Sequence, residues 1–235
     1  MKIGCIWEHN GQDTILYARE LPGAYARGTS REEALEKMHG EARSWFKWMK
    51  GTAPETFEFS IVQEKECDLE IRDADSDVLF DSETGALSSE EYEALKSAAL
   101  KSAADFLALY MAVPDRDASC LPERKTFYGK VPRTAREMYE HTKNVNSYYF
   151  GEIDVDADND GDILEIRRRG FESLEKREGF HQNEAVEGSY GEMWTLKKVL
   201  RRFIWHDRIH ARAMYRMCVN TFGKGAIENI FMFER

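Results

Sequence analysis

The chain has 235 residues, a formal net charge of −10 and 42% apolar residues, a composition that supports a buried core and excludes wholesale disorder. Its longest clean apolar run, Phe106–Val113, has eight residues, whereas a membrane span needs about 20. The acidic balance argues against a general nucleic-acid binder, which needs a basic face to displace counterions from phosphates. We find no apolar signal segment at the N-terminus and expect a cytoplasmic protein whose four cysteines are free thiols.

The first 72 residues predict a small unit with the element order β-β-β-α-β. Three short β-prone runs come first, and the turn signal Asn10-Gly11 lies between the first two. A capping box formed by Ser30 and Glu33 then opens a helix with a single apolar stripe. A final strand with one buried face is predicted by alternating apolar residues at Phe57, Phe59 and Ile61.

This first unit resembles the HicB-like fold over about residues 3–72. The resemblance is carried by Leu21-Pro22-Gly23, Gly28-Thr29 and Glu33-Ala34-Leu35, with Ser30 where the family usually has Thr. Antitoxins of that family usually add a DNA-binding element, and none is predicted in this chain. The resemblance therefore implies a structural or partner-binding module without chemistry of its own.

An acidic segment separates this unit from the rest of the chain. Residues 73–91 contain seven acidic side chains and no basic one, and such a segment repels itself and stays solvated. The sequence thus predicts an α/β domain at 1–72, an acidic linker at 73–87 and a helical domain at 88–235, an α+β chain in total.

The helical domain is predicted to be a four-helix bundle. Capping boxes begin its first helix at Ser88 and its second at Thr134, a third helix starts near Ile163, and a fourth begins near Gly191. The apolar tail at 227–233 is expected to dock on the bundle.

Two histidines of the last predicted helix are the main candidates for a functional site. His206 and His210 are four residues apart and share the apolar face of the helix. Imidazoles in a core are costly unless they share a partner, and a divalent metal is one such partner. His141 also lies on the apolar face of its own helix and is the natural third ligand. Histidines at this spacing are, however, more often structural than metal ligands.

The residues around this pair resemble the last-helix motif of the DinB/YfiT-like metal-binding bundles. The motif Trp-His-x-x-x-His is present at 205–210, and Glu140-His141-Thr142 resembles the stretch that supplies the third ligand of that family. The resemblance covers about residues 88–222. It implies a divalent metal, zinc or nickel, held by His141, His206 and His210, and it also implies a homodimer.

Two basic clusters accompany the bundle, Arg167-Arg168-Arg169 and Arg201-Arg202. The favoured interpretation is a solvated helix face, and the alternative is a binding site for the carboxylate of an anionic cosubstrate.

Two classes of function follow. The first is an enzyme in which the metal activates a small thiol cosubstrate for transfer or isomerisation, as in some members of the DinB-like family. The second is a non-catalytic partner-binding or stress-associated protein whose metal is structural or vestigial. Asp207 and Tyr148 are predicted to lie beside the site, because imidazole ligands usually donate their other N–H to an oxygen.

Overall fold

The structure is a computed structural model, and the residues that it describes are 1–68, 78–126 and 129–234. The acidic linker at 73–87 stays a prediction, because its residues 73–77 lie outside the described ones. Within the described part of the chain, no helix combines the length and the apolar character needed to cross a membrane.

The chain divides into two units, which comprise residues 1–83 with 231–235 and residues 84–230. The predicted order β-β-β-α-β of the first unit is confirmed by β1 Lys2–Asn10, β2 Asp13–Ala18, β3 Tyr25–Gly28, α1 Arg31–Lys50 and β4 Glu58–Glu66. The four strands form one sheet in the order β3-β2-β1-β4. Strand β4 runs parallel to β1, and the other neighbours are antiparallel.

The capping box predicted from Ser30 and Glu33 is half formed at the start of α1. The Ser30 hydroxyl accepts a hydrogen bond from the Glu33 N–H at 3.2 Å, as an N-cap should. The Glu33 carboxylate accepts from the backbone and hydroxyl of Thr29. Gly28 lies so close to the first turn of the helix that a Cβ atom at this position would be 2.7 Å from the Ser30 carbonyl oxygen. A side chain at position 28 would therefore push the helix start away from β3.

The prediction that the apolar tail docks on the bundle is wrong for its last residues, because 231–234 belong to the first unit. The Phe231 ring lies 5.0 Å from the Trp48 ring of α1. The Ser44 hydroxyl donates to the Phe231 carbonyl, and Arg43 binds the Glu234 carboxylate. Apolar periodicity shows that such a tail will be buried but does not identify the surface that buries it.

Four long helices form the second unit, and they are α2 Ser89–Met111, α3 Ala135–Gly151, α4 Ile163–Glu175 and α5 Leu196–Phe222. Both predicted capping boxes are confirmed: Ser88 and Thr134 each accept from a backbone N–H, and Glu91 and Glu137 return the bond. Backbone hydrogen bonds lower the pKa of both carboxylates. These caps fix where α2 and α3 begin.

Two short antiparallel ladders make this unit more than a purely helical bundle. They are formed by β5 Lys125–Thr126 with β6 Gly129–Lys130, and by β7 Val186–Glu187 with β8 Met193–Trp194. The last helix accordingly begins after Thr195, its N-cap, and not near Gly191 as predicted. Trp194 belongs to the second ladder and is completely buried. The sequence pattern instead predicted that this segment is part of the last helix.

Helix α5 is the central element of the second unit, and it packs against α2 and α3. Helices α3 and α4 approach each other closely at Gly170, where a Cβ atom would lie 2.1 Å from the Phe150 ring. The Phe150 ring in turn contacts Phe171 and Phe203. This aromatic cluster holds α3, α4 and α5 together and thereby sets the positions of the side chains along α5.

Candidate metal centre

Helices α3 and α5 bring the three predicted histidines together. His141 lies on α3, and His206 and His210 lie one helical turn apart on α5. The ring centroids are 5.2 Å apart for His141 and His206, 4.6 Å for His141 and His210, and 4.4 Å for His206 and His210. One ligand nitrogen from each side chain lies within 4.8 Å of the others, so the group could hold a metal ion.

Burial changes steeply across this His cluster, by which we mean His141, His206 and His210. The side chain of His206 is buried, that of His210 is half-buried, and that of His141 is exposed. Burial lowers the pKa of His206 well below its usual value, and the charges of His210 and His141 act in the same direction. The His206 imidazole is therefore neutral at neutral pH and keeps a lone pair for a ligand.

The immediate neighbour of His206 is an aromatic ring that sequence reasoning did not single out. The Tyr149 ring meets the His206 ring edge-on, with centroids 5.9 Å apart. The Tyr149 hydroxyl accepts a hydrogen bond from Arg202 at 3.2 Å. The buried Nδ1 atom of His206 has no hydrogen-bond partner among the described residues. In the sequence, Tyr149 lies on the apolar side of its helix and among the aromatic residues that follow His141, and both places are typical of packing residues as well as of site residues.

Asp207 faces away from the cluster, toward α4. Its carboxylate binds the Arg167 guanidinium through two contacts of 3.2 and 3.3 Å, and neither side chain is exposed. The Arg167 Nε atom donates to Asn146, which also binds the backbone carbonyl of Asp158. Burial raises the pKa of Asp207, and Arg167 opposes that effect. The structure thus gives Asp207 a role in joining α4 to α5.

Tyr148 lies at the edge of the site region with its ring partly exposed. The ring contacts Tyr149 and Trp194. Burial raises the pKa of Tyr148, and the negative charge of the Glu152 carboxylate acts in the same direction. A contact of Asp207 or Tyr148 with the imidazoles stays a prediction.

The expectation that both basic clusters form solvated faces is wrong for three of their five arginines. Arg167, Arg201 and Arg202 are buried, and only Arg168 and Arg169 are exposed. The Arg202 guanidinium lies over the rings of Tyr149, Trp194 and Trp205. Guanidinium groups can be buried where they stack on aromatic faces or meet a carboxylate. Two of these partners are distant in the sequence: Tyr149 lies 53 positions from Arg202, and Asp207 lies 40 positions from Arg167.

No family model, curated protein or solved structure matches this chain. The resemblances to the HicB-like and DinB-like families are therefore carried by the residues alone. The site is described by its own geometry: a neutral, buried imidazole, two further imidazoles toward the solvent and a buried ion pair behind them.

The ion pair of Arg167 and Asp207 is predicted to be required for stability. Asp207→Leu leaves a buried guanidinium without its carboxylate and should lower the free energy of unfolding by about 3–5 kcal/mol. Adding Arg167→Met should recover most of that loss, because apolar groups of similar volume then fill the space. Urea unfolding of the two single variants and the double variant measures the coupling.

The exposed ion pair of Arg136 and Asp117 is the matched control, since it has the same bidentate form at the surface. Asp117→Leu should change stability little, because water replaces the lost partner. A loss for Asp207→Leu no larger than for this control would show that the buried pair does not hold α4 to α5.

Proposed function

We propose that the second unit is a DinB-like metal-binding bundle and that the protein is a metal-dependent transferase acting through a low-molecular-weight thiol. In this proposal His141, His206 and His210 hold a divalent ion, zinc or nickel. The observation that supports it best is the convergence of three imidazoles from two helices, with their ligand atoms within 4.8 Å of one another. Imidazole nitrogen is the most common protein ligand for such ions.

The donor set fits a divalent ion in two respects. First, burial keeps the His206 imidazole neutral. Second, the Nδ1 atom of His206 is buried without a hydrogen-bond partner among the described residues, which is costly, and coordination of an ion by this imidazole would help to offset that cost. Nitrogens around one tetrahedral ion at about 2.0–2.1 Å lie roughly 3.4 Å apart, so separations as wide as 4.8 Å must shorten on binding. His141 is the exposed member of the three, so a movement of its side chain displaces solvent and not the core.

Three neutral imidazoles leave the charge of a bound ion uncompensated. A divalent ion with an open coordination position favours the ionised form of a thiol ligand near neutral pH. The residues of the chain determine the direction of approach: Tyr149 and the core cover the site at His206, whereas the side of His141 faces the solvent. A small ligand therefore reaches the cluster from the side of His141.

The thiol in this proposal comes from outside the protein. Burial raises the pKa of Cys218 to about 11 and, in the first unit, that of Cys5 to about 12. Both are poor nucleophiles at neutral pH, since the thiolate is the reactive form. Cys218 also lies eight residues beyond His210 on α5, which places it about 12 Å further along the helix axis.

For the first unit we propose a HicB-like fold that binds a partner and carries no chemistry of its own. The support is the element order β-β-β-α-β together with the residues that resemble the family at 21–35. Two residues of this unit have side chains that could take part in catalysis, Cys5 and Glu8, and both are buried.

The metal assignment predicts about one divalent ion per chain in the purified protein. His206→Ala, His210→Ala and His141→Ala should each lower the metal content measured by elemental analysis, because each removes one of three ligands. His39→Ala is the matched control, since His39 is an exposed histidine of α1 and should keep the metal. Circular dichroism verifies that each variant is folded.

Ligation also requires neutral imidazoles, whose ordinary pKa is about 6.5, so metal affinity should fall as the pH drops below about 6. Equal metal content in the wild type and in all three site variants would overturn the assignment. Metal retained in full at about pH 5 would exclude an all-histidine site.

The enzymatic proposal predicts metal-dependent conjugation of a small thiol to an electrophile such as an epoxide or a haloarene. The thiol loses its proton, its sulfur forms the new C–S bond, and the epoxide oxygen or the halide leaves with the electron pair. Screening several thiols with metal-loaded protein should show turnover that His210→Ala abolishes and His39→Ala preserves. Metal binding without any thiol-dependent turnover would instead support the non-catalytic alternative, with a structural or vestigial ion.

A further inference from the structure

Another region of the second unit combines a cavity with a concentration of positive charge. A cavity of about 450 Å³ opens beside the β5–β6 ladder and the first turn of α3. Its lining contains four cationic side chains and two carboxylates, which are Arg124, Lys125, Lys130, Arg133, Glu123 and Glu137. We call it the basic cavity. Its cations stand out in a chain whose net charge is −10.

The arrangement of two lysines in the basic cavity is unfavourable without a counterion. Lys125 and Lys130 are direct partners across the β5–β6 ladder, which has only two residue pairs. Like charges directly opposite each other in an antiparallel pair repel and destabilise it. No ion pair joins either lysine to a carboxylate among the residues that the structure describes. A ladder this short has few other interactions to offset the repulsion.

The two carboxylates of the lining offset only part of this positive charge. One oxygen of Glu137 accepts hydrogen bonds from the backbone N–H groups of Arg133 and Thr134, at 2.8 and 3.1 Å, and so caps α3. These bonds lower the pKa of Glu137, and the charges of Arg133 and Lys130 act in the same direction. The four cations of the lining outnumber the carboxylates by two, which matches the charge of a small dianion.

The basic cavity also lies close to the candidate metal centre. Glu137 lines the cavity, and His141 follows it by four residues on the same helix. Positions i and i+4 share a helix face and are separated by about 6 Å along the axis. His141 is the exposed member of the His cluster. The lining of the basic cavity thus extends to about one helical turn from the exposed member of the His cluster.

We propose that the basic cavity binds a small dianion, either a phosphate monoester or a dicarboxylate, through Lys125, Lys130 and Arg133. Ammonium and guanidinium donors form their strongest hydrogen bonds with such oxyanions. The binding itself does not require the metal. The further statement that this dianion is part of the thiol cosubstrate rests on the proposed function, and it restricts the cosubstrate to thiols that carry two negative charges beside the reacting sulfur.

Isothermal titration of the metal-free 235-residue chain with inorganic phosphate and with malonate, at low ionic strength, tests the proposal. We expect at least one of the two to bind, and Lys125→Gln combined with Lys130→Gln to weaken that binding about tenfold or more. Both lysines are exposed, so the variant should fold, and circular dichroism verifies this. Lys65→Gln combined with Lys224→Gln is the control, because it removes the same charge from two other exposed positions.

Each outcome bears on the proposal. Binding of phosphate alone identifies a phosphate monoester, and binding of malonate alone identifies a dicarboxylate. Absence of binding for both probes, or equal weakening by the control pair, would overturn the basic cavity as a site. His206→Ala separates it from the proposed function: this variant should keep the anion while losing the metal, and loss of both would place the anion at the His cluster instead.

Discussion

The burial of α5 is the constraint on which the second unit depends. This helix is enclosed along most of its length, yet it carries His206, Asp207, Arg202 and Arg208 at buried positions. Polar groups in a core are stable only when neighbouring elements supply partners. Arg167 of α4 supplies one for Asp207, and Tyr149 of α3 supplies one for Arg202. The positions of α3 and α4 against α5 thus follow from polar requirements as well as from apolar packing.

Because of the same constraint, the two sides of α5 near the His cluster have different polar groups. The Arg167–Asp207 pair occupies the side of α5 toward α4, and the imidazoles occupy the side toward α3. His206 is held neutral in the core, whereas His141 faces the solvent. In the proposed metal centre, an ion would lie between a buried imidazole on the inner side and an exposed imidazole on the outer side, and its outer side would be open to an external ligand.

Much of the helical frame could be predicted from the sequence because its signals are local. The caps at Ser88 and Thr134 involve residues only three positions apart, and both are confirmed. The pairing of His206 with His210 is equally local, whereas His141 was placed by its own apolar stripe and by a resemblance. Long-range partners could not be read in this way. Arg167 looked solvated because Asp207 lies forty positions away, and the Phe231 tail gave no sign of its contact with α1.

The most direct test of the central claim is X-ray absorption at the zinc edge of the zinc-loaded protein. We expect three imidazole nitrogens at about 2.0–2.1 Å and no sulfur near 2.3 Å, because Cys218 lies too far along α5 to be a ligand. The spectrum of His210→Ala should lose one of these nitrogens. A sulfur shell in the wild type, or a spectrum unchanged by His210→Ala, would contradict a metal centre built from His141, His206 and His210.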